Sequence, residues 1–441
     1  MVLTSCSYIP LEIPLALGIP AKRAFFEAPL ASCEACLPRD FCPYAKAFIR
    51  QHSPEDVLAI AGSCDAMRRV YDVLRHFGYA REVYFVDVPR TSSSDAVTFY
   101  AGILREFARY LIRVRDDMHT CSSVCSPGYA TDIRDPLFRD HLLATARSLN
   151  SLRMELARMF KLLGDGCVSG REAVDVALRV NEILAGETAG EEHKGQLVPG
   201  EEAFRACQAI IESVVFRAGG SGRTSEGCEN GKALEESQDE CDEAHVGDKQ
   251  FRSAGSATGR KCPGTGVLRR RARVGVSATC LLEPMLVESL EEAGLSVVFI
   301  DSCLPFRMFN FSVPGLGTCD SSSNRSDEDA RGNADVFSSL ALGYLRKPPC
   351  PRVFAGYARI EHLKRLVASS GAQGLVYFAP KFCDLAYYDF AELKQALGET
   401  GNLPMILIEG EYGSGRAGQT LTRAIAFKEM LEGRSSFGEI G

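Results

Sequence analysis

Seventeen cysteines are the residues of this sequence that could do chemistry. Three of them stand where an apolar run gives way to a helical pattern. Cys64 follows Asp56-Val-Leu-Ala-Ile-Ala-Gly62 and precedes a helix starting at Asp65; Cys303 follows Leu295-Ser-Val-Val-Phe-Ile-Asp301; Cys383 comes just after Gly374-Leu-Val-Tyr-Phe-Ala379. A fourth, Cys42, sits in Phe41-Cys-Pro-Tyr-Ala-Lys-Ala47, where Pro43 suits the first helical position and leaves the cysteine at the N-cap. Helix starts carry unpaired N–H groups and the positive end of the dipole, which favour a thiolate or an anionic cluster. In open parallel sheets, ligands bind outside the carboxyl ends of the strands. Thiols at three strand ends and one helix start could therefore grip a metal centre. Cys33 and Cys36 form a CxxC beside Cys42, either a loop pair or members of a larger cluster. Cys167 and Cys207 lie in apolar, helical surroundings and read as packing residues. Cys228, Cys241 and Cys262 with His245 are spaced too widely for a compact zinc knuckle.

The elements that must position these thiols alternate between strand and helix. The runs 56–62 and 82–88 flank a segment with helical spacing at Met67, Val70, Val73 and Leu74, which predicts a parallel α/β unit. Residues 21–50 read as loop and short helix. Residues 96–115 and 135–216 are helical by pattern. After residue 270, strands at 273–277, 295–301, 374–379 and 404–409 alternate with helices near 283–292, 336–345, 360–370, 390–397 and 422–432. The expected fold class is α/β, two open parallel-sheet (flavodoxin-like) domains with a helical region between them. Its divisions are an N-terminal α/β domain over 1–116, a helical region over 117–216, a linker over 217–268 and a C-terminal α/β domain over 269–441. The linker is Gly-, Ser- and Glu-rich with almost no aliphatic residues, so it cannot offset its ordering entropy and is expected to be disordered. A polar insertion interrupts the last domain at 315–335.

Composition narrows the class. The chain has 441 residues, enough for two or three domains. Its net charge of -7 and sequence pI near 5.7 give no field to attract nucleic acid. No stretch reaches about 18 uninterrupted apolar residues, so no membrane span is expected. The opening segment lacks a basic region and is broken by Pro10, Pro14 and Pro20, a poor signal peptide. A cytoplasmic location follows as the expectation, and there clustered cysteine points to metal or redox chemistry rather than disulfides.

Ordered pieces of the chain resemble the 2-hydroxyacyl-CoA dehydratase family, its D-component group, which includes benzoyl-CoA reductase subunits. They are Tyr8-Ile-Pro-Leu-Glu12 followed by Ala16-Leu-Gly18, and Leu37-Pro-Arg-Asp-Phe-Cys-Pro-Tyr-Ala-Lys46. Next come Gly62-Ser-Cys-Asp65 with Arg68 and Arg69, Asn150-Ser-Leu-Arg153, Gly294 to Arg307, and Gly418-Gln with Thr422-Arg423, Phe427 and Glu429. The resemblance implies a [4Fe-4S] cluster held by Cys42, Cys64 and Cys383, with Cys303, Cys33 and Cys36 as possible additions. Pro305 stands where the family pattern has Gly. The resemblance further implies a related second subunit in a heterodimer, a separate ATP-dependent activator protein and an acyl-CoA substrate. This chain itself has no GxxxxGK[ST] phosphate loop.

Removing water from a 2-hydroxyacyl-CoA is awkward, because the hydroxyl leaves from beside the carbonyl while the proton leaves an unactivated β-carbon. One electron added to the thioester gives a ketyl radical anion that can expel the hydroxyl and acidify the β-proton. Cofactor chemistry of that kind belongs to the cluster, and the protein tunes it. Glu12 and Tyr8 could shape the site or serve packing, and His52 and His76 read as surface residues. Three alternatives stand beside this reading: a benzoyl-CoA-reductase-like or double-cubane reductase subunit, a non-catalytic electron-relay subunit, and a cluster-free α/β protein.

Overall fold

The structure is a computed structural model that describes residues 1–25, 37–50, 52–119, 132–186, 200–218, 271–279, 284–316, 335–353, 357–399, 401–410 and 418–438. Outside these residues lie Cys33, Cys36, Cys228, Cys241, Cys262 and His245, nearly all of the expected linker, and most of the polar insertion. Asp335, placed in that insertion by sequence, instead caps a helix through its carboxylate, 3.0 Å from the amide of Ser338.

Two four-stranded, all-parallel sheets form the frame. The first contains β1 (Val2–Thr4), β2 (Ala21–Arg23), β3 (Val57–Ala61) and β4 (Glu82–Val86) in the order β2-β1-β3-β4. The second contains β5 (Ala272–Ala278), β6 (Leu295–Asp301), β7 (Gly374–Pro380) and β8 (Met405–Gly410) in the order β6-β5-β7-β8. The two orders are the same, so each sheet reverses its winding beside its first strand. Parallel strands covered on both faces need continuous apolar sequence, and β3, β6 and β7 are buried along their whole length.

The helices are α1 (Glu12–Ala16), α2 (Pro43–Arg50), α3 (Asp65–His76), α4 (Ser94–His119), α5 (Pro136–Gly164), α6 (Gly170–Leu184) and α7 (Gly200–Arg217). They continue with α8 (Pro284–Glu292), α9 (Val336–Arg346), α10 (Tyr357–Ser370), α11 (Asp384–Leu393) and α12 (Gly418–Gly438). The central helices join the sheets: α6 packs on both β2 and β6, and α9 lies against α4. Buried Asn181 of α6 completes the open edge of β2, accepting from the Arg23 amide and donating to its carbonyl, each at 2.9 Å. The main apolar core runs without a break through both halves.

Two strands correct the sequence reading. Residues 21–23 are strand rather than loop, and Val2–Thr4 forms the inner strand β1. A three-residue strand carries too little pattern to show by periodicity; its place is set by pairing to Ala21–Arg23 on one side and Val57–Ala59 on the other. The helix read at 390–397 begins earlier, at Asp384, and its end widens into a π turn over Lys394–Glu399.

Candidate functional site

The carboxyl ends of both sheets open onto one cavity of about 640 Å³, counted to the atom surfaces and including its mouth. Cys42, Cys64, Cys303 and Cys383, drawn from four separate stretches of sequence, all line it. Cys42 closes the first turn of α2, its carbonyl accepting from the Lys46 amide at 3.1 Å. Cys64 and Cys383 are the N-cap residues of α3 and α11. Each strand-to-helix turn must be tight to bring the thiol inward. At Gly62 even a methyl group would meet the Phe85 ring at 2.8 Å and the Arg68 guanidinium at 3.2 Å.

Two further thiols line the cavity, Cys6 and Cys350. Cys6 follows β1 and obeys the strand-end rule, but its strand was too short to see in the sequence. Cys350 sits in the loop after α9, where the only local hint is a Cys-Pro pair like that of Cys42 and Pro43. With Cys303 these thiols are buried, and cations surround them. The Arg352 guanidinium donates to Cys6 Sγ at 2.9 Å. Buried Lys347 donates to the Ser7 carbonyl at 2.5 Å and to its hydroxyl at 2.7 Å, and that hydroxyl lies 3.2 Å from Cys303 Sγ. Arg23, also buried, bonds Tyr44 and the Thr4 carbonyl. Cys303 opens a kinked turn, Cys303–Arg307, in which Leu304 is extended and the Leu304–Pro305 peptide is cis.

Beneath the cavity, Arg307 pairs with Asp301 at 2.9 Å and donates to the carbonyls of Ala278 and Thr279. This fixes the end of β5, where the Thr279 hydroxyl lies 3.9 Å from Cys383 Sγ.

The donor set fits a cluster of soft metal. No Asp, Glu or His lines the cavity among the described residues. Burial pushes the Cys42 thiol up to about 12, with Cys383 and Cys64 close enough to add to the effect. Cys383 is raised by burial first, and by Cys64 and Cys350. Thiols so placed ionise together only against a bound cation. Several buried donors have no acceptor: Nε of Arg23, Nε and Nη2 of Arg352, and the Tyr8 hydroxyl. An anionic, sulfide-bearing group matches that surplus. Among the described residues no three of His, Cys, Asp or Glu converge as the ligands of a single ion. Thiols bound to separate irons of one cluster stand apart by the width of the cluster.

Other expected residues serve the frame. Glu12 is fully buried between Arg153 at 2.8 Å and the Tyr344 hydroxyl at 2.7 Å, and Asn150 brackets Val313 with two hydrogen bonds. Tyr8 is buried, with Lys347 Nζ 4.1 Å above its ring. His76 is exposed; His52 is partly buried and contacts the Tyr79 carbonyl at 2.9 Å. Cys207 is a buried packing thiol as expected, pushed up to about 12 by burial. Cys167 also packs in the apolar core, but it is disulfide-bonded rather than a free thiol. Gln419, Thr422 and Arg423 of α12 lie away from the cavity lining.

The chain is similar to known proteins over part or nearly all of its length. A stretch of 159 residues, 36% of this chain, is 28% identical to "(R)-2-hydroxyglutaryl-CoA dehydratase, subunit beta" of Acidaminococcus fermentans and spans 38% of that protein's length. Over 438 residues, 97% of this chain and 90% of the relative, identity is 21% to "Putative dehydratase subunit YjiM" of Escherichia coli strain K12. No helix among the described residues is long and apolar enough to cross a membrane. The family described as "2-hydroxyglutaryl-CoA dehydratase, D-component" matches residues 6–116 and 232–431, more than half of the chain. With its thiols gathered at the carboxyl ends of two like-wound sheets, the chain belongs to the 2-hydroxyglutaryl-CoA dehydratase D-component family.

Proposed function

We propose that this protein is the iron–sulfur subunit of a 2-hydroxyacyl-CoA dehydratase, eliminating water from a (R)-2-hydroxyacyl-CoA to give an enoyl-CoA. Cys42, Cys64 and Cys383 hold a [4Fe-4S] cluster in this reading. Bound there, the cluster supplies a low-potential electron and an iron open to a substrate oxygen. The observation that carries the proposal is the meeting of those three thiols in one cavity that no carboxylate lines among the described residues.

The chain's own residues set the conditions. Met67, Pro351 and Leu385 wall the cavity with apolar surface that excludes water. Arg23 and Arg352 put positive charge beside a site that must accept an electron, and that favours the reduced state. A second related subunit and an ATP-dependent activator belong to the proposal, as does an anaerobic cytoplasm.

Anaerobic purification with iron and sulfide counted tests the ligand set. Cys42→Ser, Cys64→Ser and Cys383→Ser should each lose iron while the circular dichroism of the α/β fold persists. Iron content equal to wild type in all three would remove the assignment.

A further inference from the structure

The dehydration needs a proton acceptor, and one buried group of the cavity has no role so far. Cys303 lines the cavity, and its sulfur is hydrogen-bonded to the Ser7 hydroxyl. The Ser7 hydroxyl stands 3.2 Å from Cys303 Sγ and accepts from Lys347 Nζ at 2.7 Å, so thiol, hydroxyl and amine form a continuous line. All three residues are buried. They come from the β1 end, the β6 end and the loop after α9, three places with no sequence proximity. A buried lysine is costly unless it is paired or can shed its proton. Lys347 bonds the Ser7 carbonyl and hydroxyl and lies among thiols, and among the described residues it is paired with no carboxylate.

We propose that Cys303, backed by Ser7 and Lys347, is the general base that removes the β-proton of the acyl-CoA. The inference rests on the dehydratase reading. In this step the β C–H bond breaks, its electron pair stays with the acyl fragment, and the proton forms the S–H bond of Cys303. No oxidant or reductant is consumed. The proton then passes to the hydroxide already expelled from the α-carbon, completing the water that leaves and restoring the thiolate with Lys347 as its counter-charge.

The electrostatics agree. Burial opposes ionisation of Cys303, yet the Arg23 and Lys347 charges and the Ser7 contacts bring it down to about 6. Burial brings Lys347 down to about 7 against the opposing pull of Cys303, Cys6 and Cys350, with Arg307 adding to the drop. The other groups facing the pair are Tyr44, beside Cys303, and the ring of Tyr8, 4.1 Å from Lys347 Nζ. A base works best when its affinity for protons lies near the operating pH.

The test uses the assembled enzyme with its partner subunit and activator, and (R)-2-hydroxyglutaryl-CoA as the probe, unlabelled and deuterated at C3. Cys303→Ala should keep the iron and sulfide of wild type and lose about 10²–10⁴-fold in turnover, the usual worth of a general base. Its primary deuterium isotope effect should also be larger than that of wild type, because proton removal becomes the slow step; a merely structural role would not raise it. Lys347→Met should behave likewise, more mildly. Cys303→Ala that turns over at the wild-type rate, or slows without a larger isotope effect, overturns the inference and leaves the dehydratase reading intact. Iron loss in Cys303→Ala also overturns it, by making Cys303 a ligand. If wild type fails to dehydrate this substrate or other 2-hydroxyacyl-CoA esters, the dehydratase reading falls and the inference falls with it.

Discussion

Asp301 shows what a single buried charge does here. Its carboxylate receives Arg307 and Arg359 and the Ser277 hydroxyl at 3.1 Å, and the His362 ring lies 3.4 Å away. Burial opposes the charge, yet the two guanidinium groups hold it well below the usual carboxylate range. Asp301→Asn would strand both arginines, and removing one partner of a buried pair costs about 3–5 kcal/mol. A loss of unfolding free energy of that size in a urea titration is the expected result; a change below about 1 kcal/mol, the worth of an exposed pair, would mean the arginines reach solvent. His362 gives a pH prediction. Burial lowers it below its ordinary value, so the unfolded chain binds its proton more readily than the native one. Stability should therefore fall as pH drops through about 6.5, the unfolded value of histidine. Urea midpoints at pH 7.5 and 5.5 measure the loss, and His362→Gln should shrink it.

At the scale of elements, short connections decide where the thiols point. Gly275 on β5 faces the Phe299 ring of β6 so closely that an added Cβ would lie 2.0 Å from it, at the point where the strand register shifts. Both residues are held in a sheet, so neither side gives way easily. Gly275→Ala should cost about 1–3 kcal/mol or more through overpacking, seen as a lowered melting temperature, and iron content should fall with it. An unchanged melting temperature would show that the sheet relaxes freely. Helix α5 ties the halves together: Arg153 reaches Glu12 of α1 and Tyr344 of α9. Arg153→Met leaves the Glu12 carboxylate buried without a counter-charge, at a cost of about 3–5 kcal/mol. The double variant Arg153→Met/Glu12→Gln should recover part of that loss, and absence of recovery would count against a direct pair.

For the whole molecule, the proposed ligands come from both sheets: Cys42 and Cys64 from the first, Cys383 from the second. A group bound by all three stabilises one half against the other, because it binds the folded pair and not the unfolded chain. Stripping iron anaerobically with a chelator should lower the melting temperature and broaden the transition toward separate melting of the halves. A melting curve unaffected by iron removal would mean that the thiols do not bridge the sheets.

The sequence by itself determined the α/β class, the long strands and the cysteines at their ends, because β3, β6 and β7 are long enough to show their pattern and Cys64, Cys303 and Cys383 follow them directly. The three-residue strands β1 and β2 left no such trace, and with them Cys6 escaped notice. Only the tertiary structure decided that Cys350 joins the cavity, that Glu12 belongs to a tie with Arg153, and that Cys303 meets Ser7 and Lys347. The side-chain contacts among them link residues 141 to 340 positions apart, from Glu12 with Arg153 to Ser7 with Lys347. Local periodicity cannot encode them; they exist because two sheets present their carboxyl ends to each other.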